Sequence, residues 1–272
     1  MRKVLALLLT IVSISSFSCE EAEKFFDLPL TDAEIAEGLK AALTQGVDSS
    51  TTSASAVDGY LKNELIKVFL PSEVTALQTE IETGSVVGIK YSTILDAYVA
   101  TNANINSDPF EELVVAMNRG AEAAAKKASP IFLNAITSMS ITDALGILQG
   151  GETSATEYFI SKTRGNLIAA FQPEITTALG QTKALELYDA LYGFLSYQYE
   201  YKSLGITLKT PKIGSLINQE IPESIDGYAT ERAVEGLFYL IGEEEKKIRA
   251  SPLDYVSDII RKVFNSDEAK GL

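Results

Sequence analysis

The stretch DPFEELVVAMNRGAEAAAKKASPIF, residues 108–132, contains the clearest helix start in the chain. Asp108 can cap a helix, Pro109 suits its first position, and two glutamates follow where the positive end of the helix dipole favours acidic groups. The pattern predicts a helix from Pro109 to about Ala128 that stops before Pro130. One apolar stripe runs along this helix and consists of Phe110, Leu113, Val114, Met117, Ala121, Ala124 and Ala128.

Helical patterns extend from this stretch toward both ends of the chain. Residues 31–43 begin with a capping box, residues 48–61 are less regular and start as a turn, and residues 182–204 predict a long helix rich in tyrosine. Pro173 predicts a break or a fresh helix start, and residues 205–224 form the longest loop candidate. No sustained alternation and no clear repeat occurs. The sequence therefore predicts an all-α fold, in which a compact multi-helix domain follows a signal peptide and a short acidic tether.

The first residues have the pattern of an export signal. Arg2 and Lys3 precede an apolar run that is too short to span a bilayer, and small polar residues then lead to Cys19, the only cysteine. We expect cleavage before Cys19 and lipidation of its thiol; the alternative is a cut elsewhere, with Cys19 incidental. The predicted divisions are a signal peptide (1–18), a lipidated N-terminus and tether (19–30), a single helical domain (31–265) and a frayed tail (266–272).

The composition excludes several kinds of chemistry and partner. The chain has no histidine and one cysteine, which removes His-based triads, His metal sites and, once Cys19 is acylated, thiolate sites. No glycine-rich nucleotide motif occurs. The formal charge of −14 becomes about −16 without the signal peptide, since 37 acidic residues then face 21 basic ones. Such a surface repels phosphate backbones and anionic lipid head groups alike, so we expect membrane attachment to come from the lipid anchor. We therefore predict no metal, no cofactor and no nucleic-acid partner, and no catalytic residue stands out.

Polar residues interrupt the alanine-rich part of the opening stretch. They have three interpretations: a solvated face with surface ion pairs, a ligand or catalytic site, and a structural polar cluster between helices. Small apolar side chains share that side of the helix, which favours a packed neighbour and hence the structural cluster. The predicted cluster consists of Asn118, Arg119 and Glu122, together with Asp143 or with Glu244 and Arg249.

Tyrosines are concentrated on the predicted long helix. At this density they could line an apolar pocket or a partner-binding surface, although core residues with hydroxyls at the edge are the commoner arrangement. The candidate set is Tyr188, Tyr192, Tyr197, Tyr199 and Tyr201.

Two further stretches each have a functional and a structural interpretation. In GGETSATEYF, residues 150–159, backbone N–H groups at a helix start could seat an anion, or the glycines and a Thr153 cap could form a plain corner between helices. In EEEKKIR, residues 243–249, adjacent acids suggest the paired carboxylates of a hydrolase. Neighbouring residues on a helix point apart, however, and the spacing instead fits ion pairs of Glu243 with Lys247 and of Glu245 with Arg249. The plain corner and the solvated helix end are the predictions.

Several stretches, in this order, resemble the bacterial domain-of-unknown-function family 4197. They include MNRGAEAAAKKASPIF (117–132), AITSMSITDALGILQGGETSATEYF (135–159) and YATERAVEGLFYLIGEEEKKIR (228–249). Gly120 stands where the family has alanine, which is expected to loosen the helix. The arginine that follows the family's Ile-Arg-x-x-Pro pattern is missing here. The resemblance implies a helical, exported or envelope-associated bacterial protein, and it implies no particular activity.

These features together indicate a lipid-anchored bacterial cell-envelope protein that acts as a non-enzymatic interaction or accessory module. Its expected partners are a membrane, reached through the lipid anchor, and an unknown envelope protein. An alternative is a carrier of a small apolar ligand or lipid, built around the tyrosine-rich helix. A third hypothesis is a carboxylate-based hydrolase, which requires two acids that face each other across a cleft.

Overall fold

The computed structural model describes residues 30–102, 109–218, 220–254 and 257–270. These residues confirm the predicted all-α fold and add two short hairpins to it. The predicted signal peptide, the lipidation site Cys19, the tether up to residue 29 and the predicted cap Asp108 lie outside the described residues.

Helices make up most of the described residues. Those of the N-terminal half are α1 (Asp32–Ser55), α2 (Ser72–Thr83), α3 (Tyr91–Asn102), α4 (Pro109–Ala125), α5 (Ala128–Thr137) and α6 (Ile141–Leu148). Those of the C-terminal half are α7 (Ser154–Gln181), α8 (Ala184–Ser196), α9 (Ile213–Ile217), α10 (Ile225–Ala250), α11 (Asp258–Phe264) and α12 (Asp267–Lys270). The antiparallel hairpins pair β1 (Ser85–Val86) with β2 (Ile89–Lys90), and β3 (Glu200–Ser203) with β4 (Ile206–Lys209).

Helix α4 lies in the core of the domain, as its apolar stripe predicts. It packs along α7, which packs in turn along α10, while α1 contacts α4, α5, α6, α10 and α11. Met117 and Ala121 on the stripe are completely buried. On the next layer, the ring of Phe132 makes edge-to-face contacts with Phe159 and Phe238, at centroid distances of 5.2 and 6.0 Å. The buried alanines of α4 are small enough to let neighbouring helices approach it closely.

Gly120 marks a close approach of α4 to α7. A Cβ at this position would lie 2.9 Å from the Cα of Ile175 and 3.2 Å from the Cβ of Ala178. Because the nearest atom belongs to the backbone of α7, an added methyl group would have to push the two helices apart. The glycine therefore tightens the packing of α4, and the expectation that it loosens the helix considered only its intrinsic propensity.

Prolines and turn residues end fewer helices than predicted. Helix α1 continues to Ser55 through residues expected to form a turn. Helix α4 ends at Ala125 instead of Ala128, and Pro130 lies in the first turn of α5, where a missing backbone N–H costs no helical hydrogen bond. Helix α7 continues past Pro173, with completely buried side chains on both sides of the proline. Tertiary packing thus overrides a local helix breaker.

The predicted long tyrosine helix is the largest difference. It ends at Ser196, where Tyr197 takes an extended conformation, and the β3–β4 hairpin and α9 occupy the following segment, including part of the predicted loop. The alternation in this hairpin spans too few residues to be told from a helix by its periodicity. The predicted frayed tail also includes a short helix, α12.

Candidate functional site

Asn118 holds the loop that joins α1 to α2, residues 56–71. Its side chain is completely buried on α4. The amide oxygen accepts a hydrogen bond from the Val68 N–H, and the amide nitrogen donates to the Val68 carbonyl, both at 2.8 Å. The same nitrogen also donates to the carbonyl of Val114, one turn earlier, at 2.7 Å. The side chain thus pairs with both backbone groups of Val68, as a neighbouring β-strand would.

Glu122 holds the same loop farther toward its start. One carboxylate oxygen accepts from the N–H groups of Tyr60 and Leu61 at 3.3 and 3.2 Å, and the other oxygen pairs with Arg119 at 2.7 Å. The Tyr60 hydroxyl donates to the carbonyl of Ala233 at 2.7 Å, which ties the loop to α10 as well. Burial, together with the nearby charge of Glu122, raises the pKa of the Tyr60 phenol, so this hydroxyl keeps its proton.

Arg119 lies at the exposed edge of this group of side chains and is itself 37% exposed. Its guanidinium bridges Glu122 and Asp58 with two 2.7 Å contacts. Asp58 has a φ of 66°, a left-handed conformation that aspartate tolerates better than most residues. Hydrogen bonds from Lys62 and Arg119 lower the pKa of the Asp58 carboxyl. The hydrogen bonds that Arg119 donates to Glu122 and Asp58 raise the pKa of its guanidinium. We call Asn118, Arg119 and Glu122 the loop clamp.

The loop clamp differs from the predicted polar cluster in its partners. Its three side chains act together, but they hold a loop where a second helix was expected. Asp143 does not join them, because it caps α6 and accepts from the hydroxyl and N–H of Ser140 at 2.6 and 3.1 Å. Glu244 pairs with Lys247 at 2.6 Å, and Arg249 belongs to a second cluster.

The second cluster joins the end of α6 to the start of α7. One oxygen of the buried Glu245 accepts from the N–H of Ala155 at 2.9 Å, and the other accepts from the N–H and hydroxyl of Thr156 at 2.9 and 2.8 Å. Arg249 donates to Glu245 at 2.9 and 3.1 Å and to two carbonyls at the end of α6 at 2.7 and 3.2 Å. We call Glu245 and Arg249 the helix-end clamp, because they satisfy backbone groups that a helix leaves open at its ends.

The helix start in residues 150–159 thus binds an anionic group, and that group is the carboxylate of Glu245 in the same chain. Thr153 occupies the cap position without a side-chain cap hydrogen bond, so Glu245 caps α7 from another helix. A corner between helices is present as predicted, but the expected capping residue is wrong. The predicted pair of Glu245 with Arg249 forms, whereas Glu243 contacts Lys246 at 2.9 Å instead of Lys247.

Three of the candidate tyrosines pack into the body of the domain. Tyr188 is buried, its hydroxyl donates to the carbonyl of Pro222, and burial raises its pKa. Tyr197 packs on Tyr98, with ring centroids 5.0 Å apart. Tyr199 is half-buried against the core. These three residues therefore fit the structural interpretation of the tyrosine cluster.

Tyr192 is exposed, and Tyr201 is not among the residues that pack against the core. Tyr192 borders an open groove of about 780 Å³, whose walls also include Lys212, Glu220 and Glu223. Tyr201 is half-buried in strand β3. The groove beside Tyr192 is not lined by the other four tyrosines, and the apolar-ligand carrier stays a hypothesis.

A smaller open groove, of about 290 Å³, lies between α7 and α10 beside Ile160. At its edge Arg164 pairs with Glu231 at 2.5 Å and with Glu235 at 3.3 Å. These two acids pair with one arginine, as Asp58 and Glu122 both pair with Arg119. Such bridged carboxylates are engaged in ion pairs, which does not favour the hydrolase hypothesis.

The described ranges contain neither a cluster of metal-binding side chains nor a single membrane-spanning helix. No group of three or more Cys, Asp or Glu side chains there is placed to hold a metal ion. No single helix there is both long and apolar enough to cross a bilayer. Helices α5 and α6 together have the length and composition of a membrane span, but the chain bends by 106° between them.

Residues 29–265 match a family described as a protein of unknown function, DUF4197. The chain belongs to the DUF4197 family. The match confirms the resemblance noted in the sequence, and it spans both clamps and both hairpins of the DUF4197 domain. Neither a curated protein nor a solved structure matches the chain.

Sequence reasoning missed Asp58, Tyr60 and Thr156 as the residues that the two clamps of this DUF4197 domain bind. The Asp58–Gly59 dipeptide is a turn signal that marks a left-handed position, so it could have placed Asp58 in a sharp turn. Nothing local distinguishes Glu245 from its two neighbouring glutamates. Only its position facing the start of α7 separates it from them.

Proposed function

We propose that this DUF4197 domain is a lipid-anchored, non-enzymatic interaction module of the bacterial cell envelope, and that the clamped loop meets its partner protein. The observation that carries this proposal is the combination of a fixed backbone with apolar side chains on the outside. Leu65 and Phe69 are 68% and 49% exposed, although the loop clamp holds the backbone next to them. Apolar side chains held outward by an ordered backbone give a partner a preformed surface to bury.

The burial pattern of the loop explains how it stays ordered. Ile66 and Val68 point into the core and are almost completely buried, whereas Leu65 and Phe69 point outward. The Lys67 ammonium lies 5.3 Å from the centre of the Phe69 ring, which restricts that side chain further. A partner that binds a loop of this kind loses little free energy to ordering it.

The buried carboxylates support a role in binding over one in catalysis. Among the described residues these are Glu122 and Glu245, and each is occupied by backbone N–H groups and an arginine of its own chain. Both therefore serve the fold. The lipid anchor on Cys19 is supported by the export-type segment before it and by the short predicted tether that follows.

Site-specific photocrosslinking in cells tests the partner surface. We expect a crosslinker at position 65 of the lipidated protein to capture a discrete envelope protein, and Phe69→Ser to abolish that product. Ile141, an exposed apolar residue at the start of α6, provides the control position. Equal capture from positions 65 and 141, or none from position 65, would exclude the loop as the partner surface.

Fractionation tests the anchor separately. We expect wild-type protein in the membrane fraction, extractable only with detergent, and loss of the lipid from the Cys19→Ser variant. A wild-type protein without lipid would refute the anchor and leave the partner surface untouched.

A further inference from the structure

The β3–β4 hairpin has one apolar face and one charged face. Its register pairs Tyr201 with Leu208 and Ser203 with Ile206, so these residues share a face, while Glu200 pairs with Lys209 and Lys202 with Thr207 on the other. Every residue of the two strands except Tyr201 is exposed, including Ile206 at 63% and Leu208 at 42%. The hairpin therefore presents an apolar face that the domain leaves uncovered.

The turn of this hairpin carries a residue that local chemistry disfavours. Leu204 and Gly205 have φ angles of 50° and 81°, the pattern of a two-residue type I′ turn. Such turns prefer asparagine at the first position, because a leucine there places its Cβ close to the backbone. Leu204 is nevertheless completely exposed. Neither turn geometry nor packing within the domain explains the leucine, whereas a contact outside the domain would.

The charge of this segment is opposite to that of the whole chain. Residues 197–212 carry Lys202, Lys209 and Lys212 against Glu200, in a chain of net charge −14. Lys202 lies on the polar face close to the turn, and Lys209 pairs with Glu200 at 2.7 Å near the base. An apolar tip bordered by lysines and tyrosines has the composition of a segment that lies in a membrane interface.

We propose that the tip of the β3–β4 hairpin inserts into the surface of an anionic phospholipid bilayer. Leu204 and Ile206 enter the boundary between headgroups and acyl chains, and Lys202 contacts the lipid phosphates. The hairpin goes no deeper, because its outer strand edges carry backbone N–H and C=O groups that hydrocarbon cannot satisfy. This contact is independent of the lipid on Cys19 and of the clamped loop, and it orients the domain on the membrane.

The β1–β2 hairpin offers a matched control. Its turn residues Val87 and Gly88 have φ angles of 45° and 81°, and Val87 is 51% exposed. Its strands differ, since Val86 and Ile89 pack against the core. It therefore shares the unusual turn but has no uncovered apolar face.

Vesicle binding tests the proposal on the chain from residue 19 onward, with Cys19→Ser to remove the lipid. We expect this protein to bind vesicles of phosphatidylglycerol and phosphatidylethanolamine, and to bind phosphatidylcholine vesicles more weakly. Leu204→Asn should weaken binding about tenfold, because the tip loses the leucine that the bilayer would bury. The same change should raise the melting temperature, because asparagine suits the turn, so the loss cannot come from unfolding.

The matched variant Val87→Asn should also raise the melting temperature and leave vesicle binding unchanged. Lys202→Gln should weaken binding to anionic vesicles about fivefold. A Cys19→Ser protein that does not bind vesicles, or a Leu204→Asn derivative of it that binds just as strongly, would overturn the proposal. A concentration-dependent dimer that Leu204→Asn abolishes, without vesicle binding, would also overturn it and assign the tip to a second copy of the chain.

Discussion

The loop clamp and the helix-end clamp use the same chemical arrangement on different targets. In each, a buried glutamate accepts hydrogen bonds from two consecutive backbone N–H groups and pairs with an arginine on its own helix. Glu122 holds an irregular loop at 3.2 and 3.3 Å, whereas Glu245 holds a helix start at 2.9 Å. The arginines differ as well, since Arg119 is 37% exposed and Arg249 only 16%.

The difference shows what a helix terminus contributes. The first N–H groups of α7 point the same way and carry the positive end of the helix dipole, so one carboxylate satisfies them at short distance. A loop has no aligned N–H groups, and the loop clamp therefore needs Asn118 as a second point of attachment at Val68. The helix-end clamp fixes the core, and the loop clamp fixes a surface.

The largest predicted effect is on the helix-end clamp. Glu245→Ala should lower the free energy of unfolding by about 3–5 kcal/mol, because it leaves the buried N–H groups of Ala155 and Thr156 and the charge of Arg249 without a partner. Denaturant titration measures this loss. The adjacent change Glu243→Ala, which removes an exposed ion pair with Lys246, should cost less than about 1 kcal/mol. Similar losses in the two variants would contradict the structural role of Glu245.

An intermediate effect is predicted for the loop clamp. Asn118→Ala should cost about 2–3 kcal/mol, because both backbone groups of Val68 lose their partner in a buried place. Amide hydrogen exchange should accelerate over residues 56–71 more than in α7. The control is Asn134→Ala, an exposed asparagine on α5, which should leave exchange and stability unchanged. Uniform acceleration over the whole domain would show that the loop and the core open together, and the two clamps would then not differ in kind.

The smallest predicted change in stability comes from Arg119, the exposed member of the loop clamp. Arg119→Ala should lower the free energy of unfolding by about 1 kcal/mol or less, since water screens a half-exposed ion pair. The pKa of Asp58 is lowered from its ordinary value of 3.8. Its stabilising contribution is therefore complete above pH 3.8 and disappears as the pH falls through its folded pKa.

Thermal unfolding of Asp58→Asn and wild type, measured between pH 7 and pH 2, checks this sign. We expect the wild type to be more stable at neutral pH and the difference to shrink below about pH 4. A difference that grows on acidification would rule out the ion pair as its source.

Local patterns predicted those features whose causes lie within a few residues. The apolar stripe of α4 predicted its burial, and the capping box at Thr31 and Glu34 forms as its spacing indicates. The patterns failed where distant contacts decide the conformation, as at Pro173, where packing on both sides keeps α7 continuous. They also failed after Ser196, where a hairpin replaces a predicted helix.

By itself, the sequence determined the helical class, the buried face of α4 and the family, because periodicity and motif order are properties of the chain alone. It also indicated that the polar residues of α4 form a cluster. Only the tertiary structure decided what the two buried glutamates hold, because their backbone partners lie up to 62 and 90 residues away in sequence. A carboxylate acquires its role from the N–H groups that packing brings to it, and packing depends on the whole chain.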